Sequence, residues 1–314
     1  MMRFSLFVII LLMVNSLLAQ KIIKSSAPVS DFVLDGNTII VATTKGSVEY
    51  YNLNSKKMFR KVQFDKTVDF AGDLFDTEVF KLAKIGDLIV AVIRGENGFN
   101  DIYSIKGSDK TLLLKGDKIK SVVVDVAVSY DNMLLLGLLS NELIKFDINA
   151  RQIIYRKQIS SYAFSAMCAA EKGTIVYATD ESGIVHQVNT KEGELTGNFE
   201  GQNVDNVLCI DYSNDIIVCG GKDRRLSIYN NISNVNTHFD TGKFITTIAI
   251  NPSAKIIVWY NTENNNLEVF DIERRKVVNE LKGHTSMVNK IMFVDDNKLI
   301  SAGIDNNIII WNLK

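Results

Sequence analysis

The chain has 314 residues, of which 46% are apolar and 23% charged, and its formal net charge is −1. This balance is typical of a globular protein with a continuous core and excludes an intrinsically disordered chain. Lysine and arginine are scattered along the sequence rather than clustered. Because non-specific nucleic-acid binding needs a concentrated basic surface, the composition argues against a nucleic-acid partner.

Residues 1–19 have the layout of a secretory signal peptide. A basic start at Arg3 precedes a nearly unbroken apolar run over 4–14, and a small residue, Ala19, closes the segment. We expect cleavage after Ala19, which leaves 20–314 as a soluble, exported protein without a membrane segment. The alternative is an uncleaved membrane anchor, but the run is shorter than the roughly 20 residues that span a bilayer.

A short pattern, an apolar residue and an aromatic or aliphatic one before Asp or Asn, recurs along the chain. Successive copies are 41 or 42 residues apart, except for 54 between the first two. Their anchor residues are Tyr51, a weaker Ile105, Phe146, Val188, Tyr229, Phe270 and Trp311. This period, built from short strands only, predicts an all-β fold, a seven-bladed β-propeller over 20–314. We expect the inner strands to begin near Val29, Thr77, Val122, Tyr162, Asn206, Ile245 and Met287.

The second repeat carries two insertions, Asp65–Asp76 and the glycine-rich segment Arg94–Asn100. Insertions into repeat proteins fall in loops, often on the binding face, although a tolerated surface insertion is the alternative. Aromatic residues ringed by charge are typical interface anchors, so we predict that Phe70 and Phe75 contact a partner. Cationic residues on the same side are predicted to assist them: Arg94, Lys222, Arg224 and Arg225.

The last repeat contains three strand-like runs, ending with Asn307–Leu313, and the chain stops at Lys314. A fourth strand is therefore missing. The segment 20–25 has no blade of its own, and we expect it to become the outer strand of the last blade. Ring closure of this kind removes an exposed sheet edge.

Four side chains of the last repeat, His284, Ser301, Asp305 and Trp311, could suggest a catalytic triad. Their spacing, Gly-His before a Ser-Ala-Gly-Ile-Asp run and a terminal Ile-Trp-Asn, instead resembles a WD40 repeat. The resemblance implies a buried structural hydrogen-bond network of these four residues. It also implies a seven-bladed propeller and a protein-binding role, and we therefore predict no catalytic residues and no enzymatic activity.

Other chemistry is sparsely represented. Three cysteines are present, and we expect Cys168, Cys209 and Cys219 to be buried thiols, with a Cys209–Cys219 disulfide as the alternative. The sequence has no CxxC, HExxH or phosphate-loop motif. We expect no cofactor and no metal, while a small-molecule or metal site in the central channel remains the alternative.

Taken as a whole, the chain resembles the NapL-type accessory proteins of bacterial periplasmic nitrate reductase. The resemblance implies an exported, periplasmic and monomeric scaffold that binds a nitrate reductase component, in its maturation or in electron delivery. Two alternatives stay open: a propeller that binds a small molecule or metal as an enzyme, and a scaffold for outer-membrane assembly.

Overall fold

A computed structural model describes residues 21–68, 72–233 and 235–313 of the chain. These residues form seven four-stranded antiparallel sheets and one separate two-stranded hairpin. The predicted seven-bladed β-propeller is confirmed. The predicted signal peptide, residues 1–19, and the predicted contact residue Phe70 lie outside the described residues.

The blades follow one another along the chain. The first strand, β1 (Lys21–Lys24), precedes blade 1. Blade 1 comprises β2 (Val29–Asp35), β3 (Thr38–Thr43), β4 (Ser47–Asn52) and β5 (Met58–Gln63). A hairpin of β6 (Thr67–Val68) and β7 (Leu74–Phe75) separates it from the next blade. Blade 2 comprises β8 (Val79–Ile85), β9 (Leu88–Arg94), β10 (Asn100–Lys106) and β11 (Asp109–Leu114). The short helix α1 (Gly116–Ile119) follows.

The remaining blades repeat the plan. Blade 3 comprises β12 (Val123–Val128), β13 (Leu134–Leu138), β14 (Glu142–Asp147) and β15 (Gln152–Gln158). Blade 4 comprises β16 (Phe164–Ala170), β17 (Ile175–Asp180), β18 (Val185–Asn189) and β19 (Glu194–Phe199). Blade 5 comprises β20 (Val207–Ser213), β21 (Ile216–Gly221), β22 (Arg225–Asn230) and β23 (Thr237–Asp240). Blade 6 comprises β24 (Ile245–Ile250), β25 (Ile256–Asn261), β26 (Leu267–Asp271) and β27 (Lys276–Leu281). Blade 7 comprises β28 (Val288–Phe293), β29 (Lys298–Gly303) and β30 (Asn307–Asn312), and it is completed by β1. Two 3-10 turns, Glu96–Gly98 and Glu171–Gly173, complete the described elements.

Burial changes with position in each blade. The second strand of blade 3, Leu134–Leu138, is buried at every residue, whereas the outer strand Gln152–Gln158 is exposed at nearly every residue. The middle strands have a neighbouring blade on both faces, so they are continuous apolar runs instead of alternating ones.

Among the described residues, the core consists of seven separate apolar clusters, and each lies between two neighbouring blades. The cluster between blades 7 and 1 joins Ile300 and Ile308 to Val29, Phe32 and Ile39. Each blade therefore buries its two faces against its neighbours, and closure of the ring buries the faces that the first and last blades would otherwise expose.

Strand β1 closes the ring. It pairs antiparallel with β30 at four positions, from Lys21 opposite Ile310 to Lys24 opposite Asn307. Ile23 is buried in the cluster between blades 7 and 1. The predicted completion of the last blade by the first strand is confirmed.

The insertion before blade 2 differs from the loop that the sequence suggested. Its ends pair as the hairpin β6–β7, with Thr67 opposite Phe75 and Val68 opposite Leu74. Two-residue strands give no periodic signal in the sequence, because alternation needs at least four residues to show.

Candidate interaction face and central channel

One side of the ring carries all the connections from an outer strand to the next inner strand. Because consecutive strands of a blade are antiparallel, the turns between second and third strands emerge on the same side. Both insertions of the second repeat lie here, since β6–β7 precedes an inner strand and 94–100 joins β9 to β10. We call this side the hairpin face.

The blade 2 hairpin presents apolar side chains to solvent. Val68 is 55% exposed and Leu74 is 65% exposed. The hydroxyl of Thr77 donates to the carbonyl oxygen of Asp65 at 2.6 Å, which ties the base of the hairpin together. Paired, anchored residues that expose apolar groups outside the blade repeat form a preorganised contact surface.

Arg94 joins the two insertions. Its guanidinium lies 5.4 Å from the ring centroid of Phe75 and 5.6 Å from that of Phe80, within cation–π range. It also donates to the carboxylate of Glu78 at 3.0 Å. Two predicted contact residues, Phe75 and Arg94, therefore touch each other. Phe75 is half-buried, so only part of its ring is available to a partner.

Acidic residues of the first insertion are paired with nearby lysines. The carboxylate of Asp76 lies 2.7 Å from Lys45 Nζ and 3.7 Å from Lys66 Nζ. The hydrogen bond from Lys45 holds the pKa of Asp76 below its ordinary value. Asp65 lies 3.8 Å from Lys110 Nζ. The hairpin is therefore ringed by both signs of charge rather than by a uniformly acidic surface.

The predicted cationic residues of blade 5 lie on the same face. The backbone N–H of Lys222 donates to Asn206, and that of Arg94 donates to Glu78 in the same way, so these two positions are equivalent in their blades. Lys222 and Arg224 are exposed. The Arg224 guanidinium lies 5.5 Å from the ring centroid of Phe244, which is 45% exposed.

Arg225 differs from its two neighbours. It is half-buried, and its guanidinium donates to the carbonyl oxygen of Gln202 at 2.8 Å. This bond holds the connection before blade 5, so Arg225 is less free to meet a partner than Lys222 or Arg224.

Sequence reasoning missed an apolar collar on the hairpin face. Its members are exposed residues at the blade junctions and at the turns between second and third strands. They are Val122, Leu139, Tyr162, Val204, Phe244, Met287 and Ile304. Their apolar character at turn positions was the available signal, because exposed turns are otherwise polar.

The structure brings the four residues of the WD40-like pattern together in blade 7. His284 Nδ1 lies 3.0 Å from Asp305 Oδ2, and His284 Nε2 lies 2.7 Å from Ser301 Oγ. Trp311 Nε1 donates to Ser301 Oγ at 2.7 Å. A proton on His284 Nδ1 satisfies all four residues. The ring N–H then donates to Asp305, the Ser301 hydroxyl donates to His284 Nε2, and the Trp311 indole donates to Ser301. His284 and Asp305 are buried, so this serine is not presented to a substrate.

Burial alone would raise the pKa of Asp305. Hydrogen bonds from His284 and from the backbone N–H groups of Thr285 and Asn307 outweigh it, and the pKa lies well below its usual range. The carboxylate is therefore charged and fully bonded, as a structural anchor requires.

A second buried network occurs in blade 4, around Asp180, the last residue of strand β17. It accepts hydrogen bonds from Ser160 at 2.5 Å and Asn141 at 2.9 Å, and lies 2.8 Å from His186 Nε2. The two networks occupy different positions in their blades, which reflects the divergence of the repeats.

The cysteines are free thiols. Cys209 pairs across the sheet with Gly220, and Cys219 with Ile210, so the two are not directly opposite. Cys209 and Cys219 are buried while Cys168 is half-buried, and burial raises the pKa of all three. They are protonated and poorly reactive at neutral pH.

Charged side chains line the central channel, and sequence reasoning missed them. A cavity of about 490 Å³ lies among the inner strands, and its charged residues are Asp31, Lys81, Asp125, Asp211 and Lys290. Lys290 Nζ lies 2.6 Å from Asp31, and Lys81 Nζ lies 2.9 Å from Asp125. Over the described parts of the chain, no group of three or more His, Cys, Asp or Glu side chains is arranged to hold a metal ion.

These features define a seven-bladed propeller with a WD40 hydrogen-bond network in its last blade. Residues 275–312, which comprise the outer strand of blade 6 and the three strands β28–β30 of blade 7, match the WD40 family model (WD domain, G-beta repeat). Such propellers generally serve as scaffolds for protein interactions.

Two relatives extend the similarity beyond the last blade. WD repeat-containing protein 36 of Homo sapiens is 28% identical over 181 residues, which cover 55% of this chain and 18% of the human protein. The U3 small nucleolar RNA-associated protein 21 homolog of Schizosaccharomyces pombe is 26% identical over 155 residues, covering 47% of this chain and 17% of that protein. The aligned regions therefore span less than a fifth of either relative. In the part of the chain that the structure describes, no helix is long and apolar enough to cross a membrane.

Proposed function

We propose that this protein is an exported, non-enzymatic scaffold that binds a protein partner through its hairpin face. The observation that carries the proposal is the blade 2 hairpin, an addition to the regular blades that exposes Val68 and Leu74. Arg94 and the half-buried ring of Phe75 support its base. A rigid apolar centre with charged surroundings is the usual energetic centre of a protein interface.

The partner's chemistry follows from the same surface. The apolar collar continues from the hairpin around the ring, and Lys222 and Arg224 lie on its blade 5 side. We infer that the partner presents apolar side chains flanked by acidic ones, since opposite charges at an interface rim guide association. Blade 7 and its buried network serve as structural support.

Export and the identity of the partner rest on the sequence alone. Residues 1–19 have signal-peptide layout, and the whole-chain resemblance points to a component of periplasmic nitrate reductase. Both relatives found by comparison are eukaryotic WD-repeat proteins, and they lend no support to a nitrate reductase role. Outer-membrane assembly factors form the second candidate class of partner.

The test is capture of the partner by the purified protein from periplasmic extract, with substitutions on opposite faces of the ring. Val68→Asp with Leu74→Asp should abolish capture and leave the melting temperature unchanged, because both side chains are solvent-exposed. Ile232→Asp is the matched control, since Ile232 is 75% exposed in the turn between the third and outer strands of blade 5.

The double alanine variant of Phe70 and Phe75 extends the test to the predicted aromatic anchors. Equal capture by the hairpin variant and the Ile232 control would place the interface elsewhere. Mass spectrometry of the captured protein separates nitrate reductase components from outer-membrane assembly factors. An isolated bait that begins at Gln20 would support export, whereas one that retains residues 1–19 would contradict cleavage.

A further inference from the structure

The central channel contains a repeated arrangement of bonds around an aspartate, which links three consecutive blades. In its first copy, Lys290 of blade 7 pairs with Asp31 of blade 1 at 2.6 Å. Asp31 Oδ2 then accepts the backbone N–H of Leu82 in blade 2 at 2.7 Å. The other carboxylate oxygen accepts the N–H of the next residue, Phe32. The side chain of Asp31 is 3% exposed, and these partners satisfy its buried oxygen atoms.

The second copy repeats this arrangement two blades further on. Lys81 of blade 2 pairs with Asp125 of blade 3 at 2.9 Å. Asp125 Oδ2 accepts the N–H of Met167 in blade 4, and Oδ1 accepts that of Val126. In both copies, the lysine and the aspartate occupy the second paired position of their inner strands.

A third copy spans blades 4, 5 and 6 but has no lysine. Asp211 Oδ1 accepts the N–H of Tyr212, and Oδ2 accepts that of Ile250 in blade 6, both at 2.9 Å. Asp211 is the fourth paired residue of its inner strand, and the fourth paired residue of the preceding blade is Cys168. The third copy therefore lies two paired positions further along its strands, and the residue level with its aspartate on the preceding blade is a neutral cysteine instead of a lysine.

The carboxylate of Asp211 therefore has no ion-pair partner among the described residues. Lys290 exerts a favourable charge on Asp211 but is bonded to Asp31 instead. Burial raises the pKa of Asp211 to about 6, which is the expected result when the compensating cation is lacking. Asp211, Cys168 and Lys290 all line the cavity of about 490 Å³. Cavities of this size accept small organic ligands.

We propose that Asp211 binds the ammonium group of a small organic amine, which takes the position that lysine occupies in the other two copies. The backbone N–H bonds from Tyr212 and Ile250 hold the carboxylate in place before the ligand arrives. The small side chain of Cys168 leaves room for the ligand's carbon stem. The site lies in the channel and is separate from the blade 2 hairpin, so it does not depend on the proposed partner.

The probe for this site is butylammonium, which is the side chain of lysine without its backbone. It is titrated into the mature protein at constant ionic strength, and the backbone amide resonances of Tyr212 and Ile250 are followed by NMR. We expect saturable shifts of both resonances with butylammonium and none with 1-butanol, which has the same stem without the charge. The absence of saturable shifts, or equal shifts with 1-butanol, would overturn the proposal.

Substitutions at Cys168 and Asp211 test the position of the site. Asp211→Asn should weaken butylammonium binding at least about tenfold, because the carboxylate supplies the charge. Cys168→Ser should bind as the wild type does. Cys168→Lys should lose binding and melt at a higher temperature, since its own ammonium completes the third copy. A folded Cys168→Lys variant that still binds butylammonium like the wild type would contradict the assignment, even if Asp211→Asn failed to fold.

Discussion

Ser301 shows how one residue decides between a structural and a catalytic interpretation. Its hydroxyl accepts from the Trp311 indole and bonds to His284, and it is fully buried. A nucleophilic serine needs access to substrate and an adjacent group of donors for an oxyanion. Blade 7 thus contains the residue types of a hydrolase triad. Because these residues are buried, their role is to bond a turn to two neighbouring strands.

We expect the substitution His284→Ala to lower the free energy of unfolding by about 1–3 kcal/mol. The loss follows because buried Asp305 and Ser301 would each lose a hydrogen-bond partner. Chemical denaturation measures it, and His238→Ala is the control, since His238 is exposed and its Nδ1 lies 2.8 Å from Gln202 Oε1. Wild-type stability in the His284→Ala variant would contradict the structural role.

The inner strands could be predicted from the sequence, whereas the hairpin β6–β7 could not. The inner strands begin at Val29, Val79, Val123, Phe164, Val207, Ile245 and Val288, each within two residues of the predicted start. The repeat made these strands predictable, because each copy restates the same alternation of strand and turn. The hairpin β6–β7 has no second copy and only two residues a strand, so its pairing could not be read from the pattern.

The candidate site was predictable only in part, for a related reason. Arg94 and Lys222 could be placed on one face, because equivalent turns of a repeat emerge on the same side. The ion pairs of the channel could not be predicted, since Lys290 and Asp31, for example, lie at opposite ends of the sequence and meet only when the ring closes. Spacing along the chain also gave no indication that Cys168 replaces a lysine.

Strand β1 is expected to contribute strongly to the stability of the closed ring. Deleting residues 20–26 should lower stability by several kcal/mol, because the four ladder positions on β30 and the buried side chain of Ile23 are lost together. Ile23→Ala is the milder variant, with an expected cost of about 2–4 kcal/mol. Ile22→Ala is the matched control, since Ile22 lies on the same strand and is 42% exposed. A deletion variant that melts like the mature protein would show that β1 is dispensable for closure.

The whole molecule is a ring that is stabilised by the packing between its blades. The groups proposed to contact a partner lie on one side of it. Seven clusters between the blades hold the ring rigid. The hairpin, the 94–100 turn and the apolar collar all emerge on the hairpin face. A rigid frame of this kind presents contact groups with little loss of conformational entropy on binding.

Hydrogen exchange of the free protein and of its complex with the captured partner tests the scaffold proposal most directly. Amides that a partner covers exchange more slowly, so protection reports the interface residue by residue. We expect protection of 64–76 and 94–100, with weaker protection at the turns of the apolar collar and none at the turns of the opposite face. Protection confined to the turns around Tyr130, Ile232 and Val294 on that opposite face would contradict the account.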